Sequence, residues 1–166
     1  YATQFDDFSK DGTGLLLYGG VGTGKTYYAA CIANHLIDRG YTVMLRKFSE
    51  ITGQIEQNYG NKLEVINDLR RYKLLILDDL GAERKSDYMQ EMVLDIVDAR
   101  YRSGLPFIVT TNLAPDEIKK SQITAYQRIY DRIMERCYPK EVAGGSRRRA
   151  ALRTKYGEIS RKLGLS

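Results

Sequence analysis

The chain has 166 residues, one histidine, two cysteines and no apolar run near the ~20 residues that a membrane-spanning helix needs. His35 lies inside a helical pattern with no candidate ligand beside it, so a packing or surface position is expected for it rather than catalysis. Cys31 and Cys137 show no metal-ligand spacing. Both fall in segments that read as helical and are expected to be small buried hydrophobes of a reducing, cytoplasmic compartment. The opening residues, Tyr1-Ala2-Thr3-Gln4-Phe5, carry neither a basic nor an apolar leader, which argues against a signal peptide. They also lack an initiator methionine, so the chain is expected to be a fragment whose preceding region is absent.

Charge is the first positive signal. Lysine and arginine number 26 against 21 acids, a formal net charge of +5. Between Ser146 and Lys162 the chain carries Arg147, Arg148, Arg149, Arg153, Lys155, Arg161 and Lys162 against Glu158 alone. Such clustering suits a polyanionic partner, nucleotide or nucleic acid, and equally a solvated helix face.

Apolar runs alternate with helical patterns. Leu15–Tyr18, Tyr41–Leu45, Leu74–Leu77 and Phe107–Thr110 read as strands, with Lys140–Ala143 as a fifth strand at an edge. Lys25–Arg39, Ser86–Ser103 and Ala125–Cys137 read as helices, the first with Ala29, Ile32, Ala33, Leu36 and Ile37 on one face. Ser49 suits an N-cap for a helix to about Tyr59, and a further helix is expected over Leu63–Arg71. Strands that are apolar throughout and separated by helices imply an α/β fold whose parallel sheet is covered on both faces. With no repeat, low-complexity tract or linker, one domain over residues 1–166 is expected.

The most specific motif is Gly19-Gly20-Val21-Gly22-Thr23-Gly24-Lys25-Thr26, a P-loop match at every position, placed between a strand and a helix. Glycines let successive backbone N–H groups turn toward phosphate oxygens, and the helix adds the positive end of its dipole. Lys25 would meet the β- and γ-phosphates, the Thr26 hydroxyl would ligate Mg²⁺, and Tyr27 on the first turn is grouped with these nucleotide-binding residues. The strand Leu74–Leu77 ends in Asp78 and Asp79. Asp78 is the expected partner of Mg²⁺, and Asp79 is left to orient or polarise a water. Asn112 follows the fourth strand, where an amide can bond both a phosphate and that water without adding negative charge.

Gly19–Thr26, then LLILDDLG over Leu74–Gly81, then RYRSGLPFIVTTNL over Arg100–Leu113, resemble the AAA+ ATPases of the DnaC type, the bacterial and phage helicase loaders. The related IstB-type transposition helpers share nearly the same core. The resemblance runs from about Gly14 to Arg148 and implies a three-layer P-loop fold with a five-stranded parallel sheet and a minimal C-terminal lid. It makes Gly19–Thr26 Walker A, Asp78 and Asp79 Walker B, and Asn112 sensor 1. Arg132, with Arg128 four residues before it, matches the arginine finger that acts in trans on a neighbouring subunit's γ-phosphate. Gly144-Gly145-Ser146-Arg147-Arg148 matches the sensor 2 segment, with Arg148 as the arginine, or Arg147 if the register differs by one.

The same resemblance implies ATP and Mg²⁺ as cofactors, weak hydrolysis stimulated by DNA or assembly, and homo-oligomerisation. It implies a replicative helicase and single-stranded DNA as partners, and no membrane. The stretch Phe48–Arg71 is longer than one crossover helix requires. In such proteins a helix here reaches single-stranded DNA, which singles out Lys47, Phe48 and Lys62, with Tyr59 nearby. The acids Glu50, Glu56 and Glu64 break the basic stripe, and a packed helix pair explains the stretch equally well. Three rival functions stay open: a duplex-binding transposition helper, a nucleotide-gated module that never hydrolyses, and a small-molecule kinase.

Overall fold

The computed structural model describes every residue except 58–59, 83–85, 120–123 and 164–166. After a short 3-10 turn, the chain forms α1 (Phe5–Asp11), β1 (Gly14–Tyr18), α2 (Lys25–Asp38), β2 (Val43–Lys47), α3 (Phe48–Gln57) and α4 (Lys62–Asp68). It continues through β3 (Leu74–Leu80), α5 (Asp87–Ser103), β4 (Phe107–Thr111), α6 (Pro115–Lys119), α7 (Thr124–Arg136), β5 (Cys137–Glu141) and α8 (Arg147–Lys162). All pairings are parallel and the strand order is β2-β3-β4-β1-β5. The five-stranded parallel sheet expected from the sequence is therefore present.

Period-two alternation along the strands sorts the core into two layers. Leu74 and Ile76 of β3 join Ala29, Ala33 and Leu36 of α2 and Phe5 of α1 on one face. Leu75 and Leu77 join Phe48, Ile51, Met92, Ile96 and Ile133 from α3, α5 and α7 on the other. Every residue of β4 is buried, which is why that run shows no polar alternation. The Ser86 hydroxyl accepts from the Met89 N–H at 3.2 Å to start α5, and Gly104 ends it in the left-handed conformation.

Several expectations shift. The N-terminal helix α1 carries no strong apolar period and was not legible; it holds through Phe5, which is fully buried, and the ring contacts of Tyr1. β2 begins at Val43, two residues later than the apolar run suggested. Cys137 opens β5 instead of closing a helix, and Cys31 is exposed instead of buried. Ile37, expected on the buried face of α2, is 52% exposed. α3 starts at Phe48, so Ser49 lies inside the helix and does not cap it. Tyr59 lies outside the described residues. Among the described residues no helix is long and apolar enough to cross a membrane.

One buried charge ties the far end of the sheet together. Arg100 on α5 is 1% exposed and faces no carboxylate in its hydrogen-bond set. Its guanidinium donates to Pro106 O from two nitrogens, at 3.2 and 2.7 Å, and to Leu69 O, Tyr72 O and Lys73 O at 3.2, 2.9 and 3.0 Å. Burial pushes its pKa down to about 10. Four carbonyls from the α4–β3 and α5–β4 connections thus share one cation, whose planar fork suits the arrangement better than an ammonium would. Arg100→Met is expected to lower the unfolding free energy in urea by roughly 3 kcal/mol or more, because those carbonyls lose their buried donor. Arg100→Lys should restore less than half of that loss, and a loss below about 1 kcal/mol for Met would mean the carbonyls find other partners.

Candidate functional site

The cavity that matters lies at the C-terminal edge of the sheet, where ligands bind in open parallel sheets. It measures about 550 Å³ and is lined by the loop between β1 and α2, the tips of β2, β3 and β4, and the start of α8.

The loop wraps its own lysine. Lys25 is 7% exposed, and its ammonium donates to Gly19 O at 2.8 Å, Gly20 O at 2.9 Å and Asn112 Oδ1 at 2.7 Å. Burial lowers its pKa, with Asp79 and Asp78 pulling the other way. Thr23 Oγ1 donates to Gly20 O at 3.1 Å, tightening the turn. Gly22 has φ +83°, and a Cβ there would lie 2.3 Å from Ser146 Oγ, so only glycine lets the loop meet the segment before α8. The Arg147 N–H donates to Gly22 O at 3.0 Å across that contact, and the Arg147 guanidinium lies 5.8 Å from the Tyr28 ring centre. Val21, Gly24, Thr26 and Tyr27 also border the cavity.

The two carboxylates reach the cavity by a break in the strand. Neighbouring residues of a regular strand point to opposite faces, which would send Asp78 and Asp79 apart. Leu77 pairs with Val109, but the next pair is Leu80 with Thr111, so β3 holds one extra residue opposite Thr110. Asp79 takes up the extra residue with φ 68°, the single positive φ among the described non-glycine residues. Leu80 then packs in the same layer as Leu75 and Leu77, which confirms that the alternation has reset. Both carboxylates line the cavity.

Thr110 fixes this break. Its hydroxyl donates to Asp78 Oδ1 at 2.6 Å and accepts from the Asp79 N–H at 2.9 Å. Asp78 also accepts from Thr26 Oγ1, at 2.9 Å through Oδ1 and 3.2 Å through Oδ2. Asn112 links the halves, accepting from Lys25 and donating to Asp79 Oδ1 at 3.4 Å. The donor set suits magnesium, which prefers one or two protein oxygens and fills the rest with water and phosphate. A hydroxyl and a carboxylate already held together, Thr26 and Asp78, are such a pair. Among the described residues no group of three or more His, Cys, Asp or Glu offers a rival site.

Of the sequence-predicted residues, Val21, Gly22, Gly24, Lys25, Thr26, Tyr27, Asp78, Asp79 and Asn112 line one cavity, Arg148 borders it from α8, and Gly19, Gly20 and Thr23 hold the loop through their bonds without lining it. Three others lie elsewhere. Arg132 sits on α7, bonded to Asp98 Oδ1 at 3.0 Å with its guanidinium 4.6 Å from the Tyr101 ring centre. Lys62 pairs with Asp95. Phe48 is fully buried in the α3–α5 core, so its expected role as a stacking surface for DNA is corrected: no base can reach its ring. Lys47, grouped with it on sequence, is exposed and borders the cavity. Thr110 was missed although it stands in the same Thr-Thr-Asn run as Asn112; the signal was a polar residue inside an otherwise apolar strand.

A sequence model of the family described as IstB-like ATP binding protein matches residues 4–155. The replicative helicase loader DnaI of Bacillus subtilis is 30% identical over 150 residues, covering 82% of this chain and 48% of that protein. The replicative helicase loader DnaC of Escherichia coli K12 is 29% identical over 132 residues, covering 77% and 53%. The chain thus spans about half the length of these curated relatives. The crystal structure of the DnaC helicase loader superposes with a TM-score of 0.69 at 22% identity, covering 85% of each chain, and shares the AAA+ P-loop fold.

The geometry makes Thr110 a test of the site's construction. Thr110→Val is expected to cost about 1–2 kcal/mol of stability in urea, because Asp78 loses a donor and the Asp79 N–H an acceptor, while Thr110→Ser should cost less than half as much. Equal losses for Val and Ser would assign the effect to packing of the methyl group.

Proposed function

The chain belongs to the IstB-like ATP-binding protein family, and from that membership we propose that it binds and hydrolyses ATP with Mg²⁺ and acts as a replicative helicase loader. The observation that carries the ATP reading is the meeting of Lys25, Thr26, Asp78, Asp79 and Asn112, drawn from three elements, around one cavity. The loader reading is supported by the names of the relatives, each called a replicative helicase loader.

In this reading the loop's N–H groups and Lys25 hold the phosphates, and Thr26 and Asp78 hold Mg²⁺, which supplies charge neutralisation on the phosphate oxygens. Lys25 exchanges its bonds to Gly19 O and Gly20 O for phosphate oxygens, a swap of neutral acceptors for charged ones. Asp79 orients the attacking water and draws its proton, and Asn112 keeps the Asp79 carboxylate aimed through its amide. Arg148 approaches the γ-phosphate from α8 of the same chain. Arg132 acts in trans on a second copy, and its bond to Asp98 and stacking on Tyr101 hold the guanidinium in one orientation on the surface of α7.

Single-stranded DNA and the replicative helicase are the proposed partners, with duplex DNA and a transposase as the alternative from the helper branch. With Phe48 buried and Lys62 paired, the basic α8 carries most of the support for a nucleic-acid surface. Its Arg149 and Arg153 are exposed, as is Tyr156 between Lys155 and Glu158.

Lys25→Ala is expected to abolish tight ATP binding in a fluorescence titration. Asp79→Asn should keep binding and lower phosphate release by about a hundredfold or more. Equal release by Asp79→Asn and the unaltered chain would favour the non-hydrolysing module. Arg132→Ala should spare binding and reduce hydrolysis only at concentrations where the chain assembles; normal hydrolysis there would remove the trans role. With ATP present, sizing on single-stranded and duplex oligonucleotides separates loader from helper, and overwhelming duplex preference would remove the loader.

A further inference from the structure

Lys47 is placed by the fold at the nucleotide cavity, and its position there differs from that of every other cation. It is the last residue of β2, and its register partner on β3 is Asp78. Register partners on parallel strands share a face of the sheet. The preceding pairs, Val43 with Leu74 and Leu45 with Ile76, belong to the α2 face, on which Asp78 meets Thr26. Lys47 therefore leaves the sheet on the side of the P-loop helix and borders the cavity with Thr26, Asp78, Asp79 and Asn112. The next residue, Phe48, turns to the opposite core.

Neighbouring cations already have partners. Arg46 donates to Gln54 at 2.6 Å and lies 3.8 Å from Glu50, and Lys62 pairs with Asp95. Among the described residues the Lys47 ammonium has no ion pair or hydrogen bond, although its main-chain N–H donates to Glu50 Oε2 at 3.3 Å. An exposed lysine whose stem is anchored at a strand tip, beside two carboxylates and with its charge free, is placed to receive an anion between them.

The strand order says which part of a nucleotide it would meet. β1 delivers the phosphate loop and β5 leads to α8, while β2 lies beyond β3 at the opposite edge of the sheet. Lys25 and Arg147 approach from the loop and α8 side. Lys47 approaches across Asp78, from the side that the metal pair and Asp79 define as the terminal-phosphate end. The geometry points to Lys47 as a second lysine for the γ-phosphate, one that separates a nucleoside triphosphate from a diphosphate. This inference rests on the ATP reading above.

The test compares affinities for ADP and for a slowly hydrolysed ATP analogue, both with Mg²⁺, by titration calorimetry on the unaltered chain, Lys47→Met and Lys47→Arg. Lys47→Met is expected to bind the triphosphate about tenfold or more weakly, the loss of one charge-assisted contact, and ADP within about twofold of normal. Lys47→Arg should regain most of the triphosphate affinity. Equal weakening of both nucleotides, or of neither, would overturn the inference while leaving the ATP site intact. So would normal triphosphate binding in Lys47→Met accompanied by weakened binding of a single-stranded oligonucleotide. If the unaltered chain bound neither nucleotide, the ATP reading itself would fail and Lys47 with it. Thermal unfolding without nucleotide, expected to be unchanged in Lys47→Met, separates these results from misfolding.

Discussion

The site depends on one departure from regular geometry: β3 cannot point two consecutive carboxylates into the same cavity unless its alternation breaks between them. The extra residue at Asp79 supplies that break, at the cost of a left-handed backbone on a residue that tolerates it better than most. Thr110 makes the break a stable alternative to a straight ladder, since its hydroxyl serves both the Asp78 carboxylate and the Asp79 N–H. The neighbouring Thr111 hydroxyl donates to Leu80 O at 2.8 Å, re-pinning the strand just past the bulge. Two threonines in a fully buried strand are thus satisfied by the irregularity that they stabilise.

The second dependence is between the phosphate loop and α8. Gly22 touches Ser146, and Ser146 also caps α8 by accepting from the Arg149 N–H at 3.3 Å. The helix that carries Arg147 and Arg148 therefore starts from the loop itself. The Arg147 N–H bond to Gly22 O at 3.0 Å joins the loop and the first turn of α8 into one junction. Beyond this junction most of α8 is exposed, including Leu152, Tyr156 and Ile159, so the helix is held to the rest of the molecule mainly at its first turn.

What the sequence disclosed follows from which interactions are local. The P-loop, the strands β1, β3 and β4 and the cap-to-glycine frame of α5 are written in consecutive residues, and the structure has them where the pattern put them, whereas β2 and β5 are displaced by two or three residues. Asp78, Asp79 and Asn112 were legible because strand tips follow strands. The direction of a side chain at a strand end was not legible, because it depends on register with a neighbour. Lys47 and Phe48 stood together as candidate DNA contacts, yet the register of β2 on β3 sends one to the nucleotide cavity and the other into the core. Arg100 was equally hidden: nothing in its helical segment marks it for burial, and only the meeting of two distant connections shows why it is buried. Cys137 reads as the end of a helix because the period of α7 runs into β5 without a spacer residue.

Charge connects these pieces. Among the described residues lining the cavity, Lys25, Lys47, Arg147 and Arg148 stand against Asp78 and Asp79, an excess of two positive charges. The two carboxylates alone would repel a polyphosphate. Their repulsion is offset locally, by Thr26 and Thr110 on Asp78 and by the Asn112 amide on Asp79, and across the cavity by the four cations. Those cations come from separate places: the loop, the tip of β2 and the start of α8. A ligand that bridges all of them must be long, anionic along its length, and still negative after a divalent ion is counted. A single inorganic phosphate does not meet them, because a divalent ion cancels its charge and it offers one anionic centre to cations from three separate places, whereas a magnesium-bound nucleoside triphosphate meets all three.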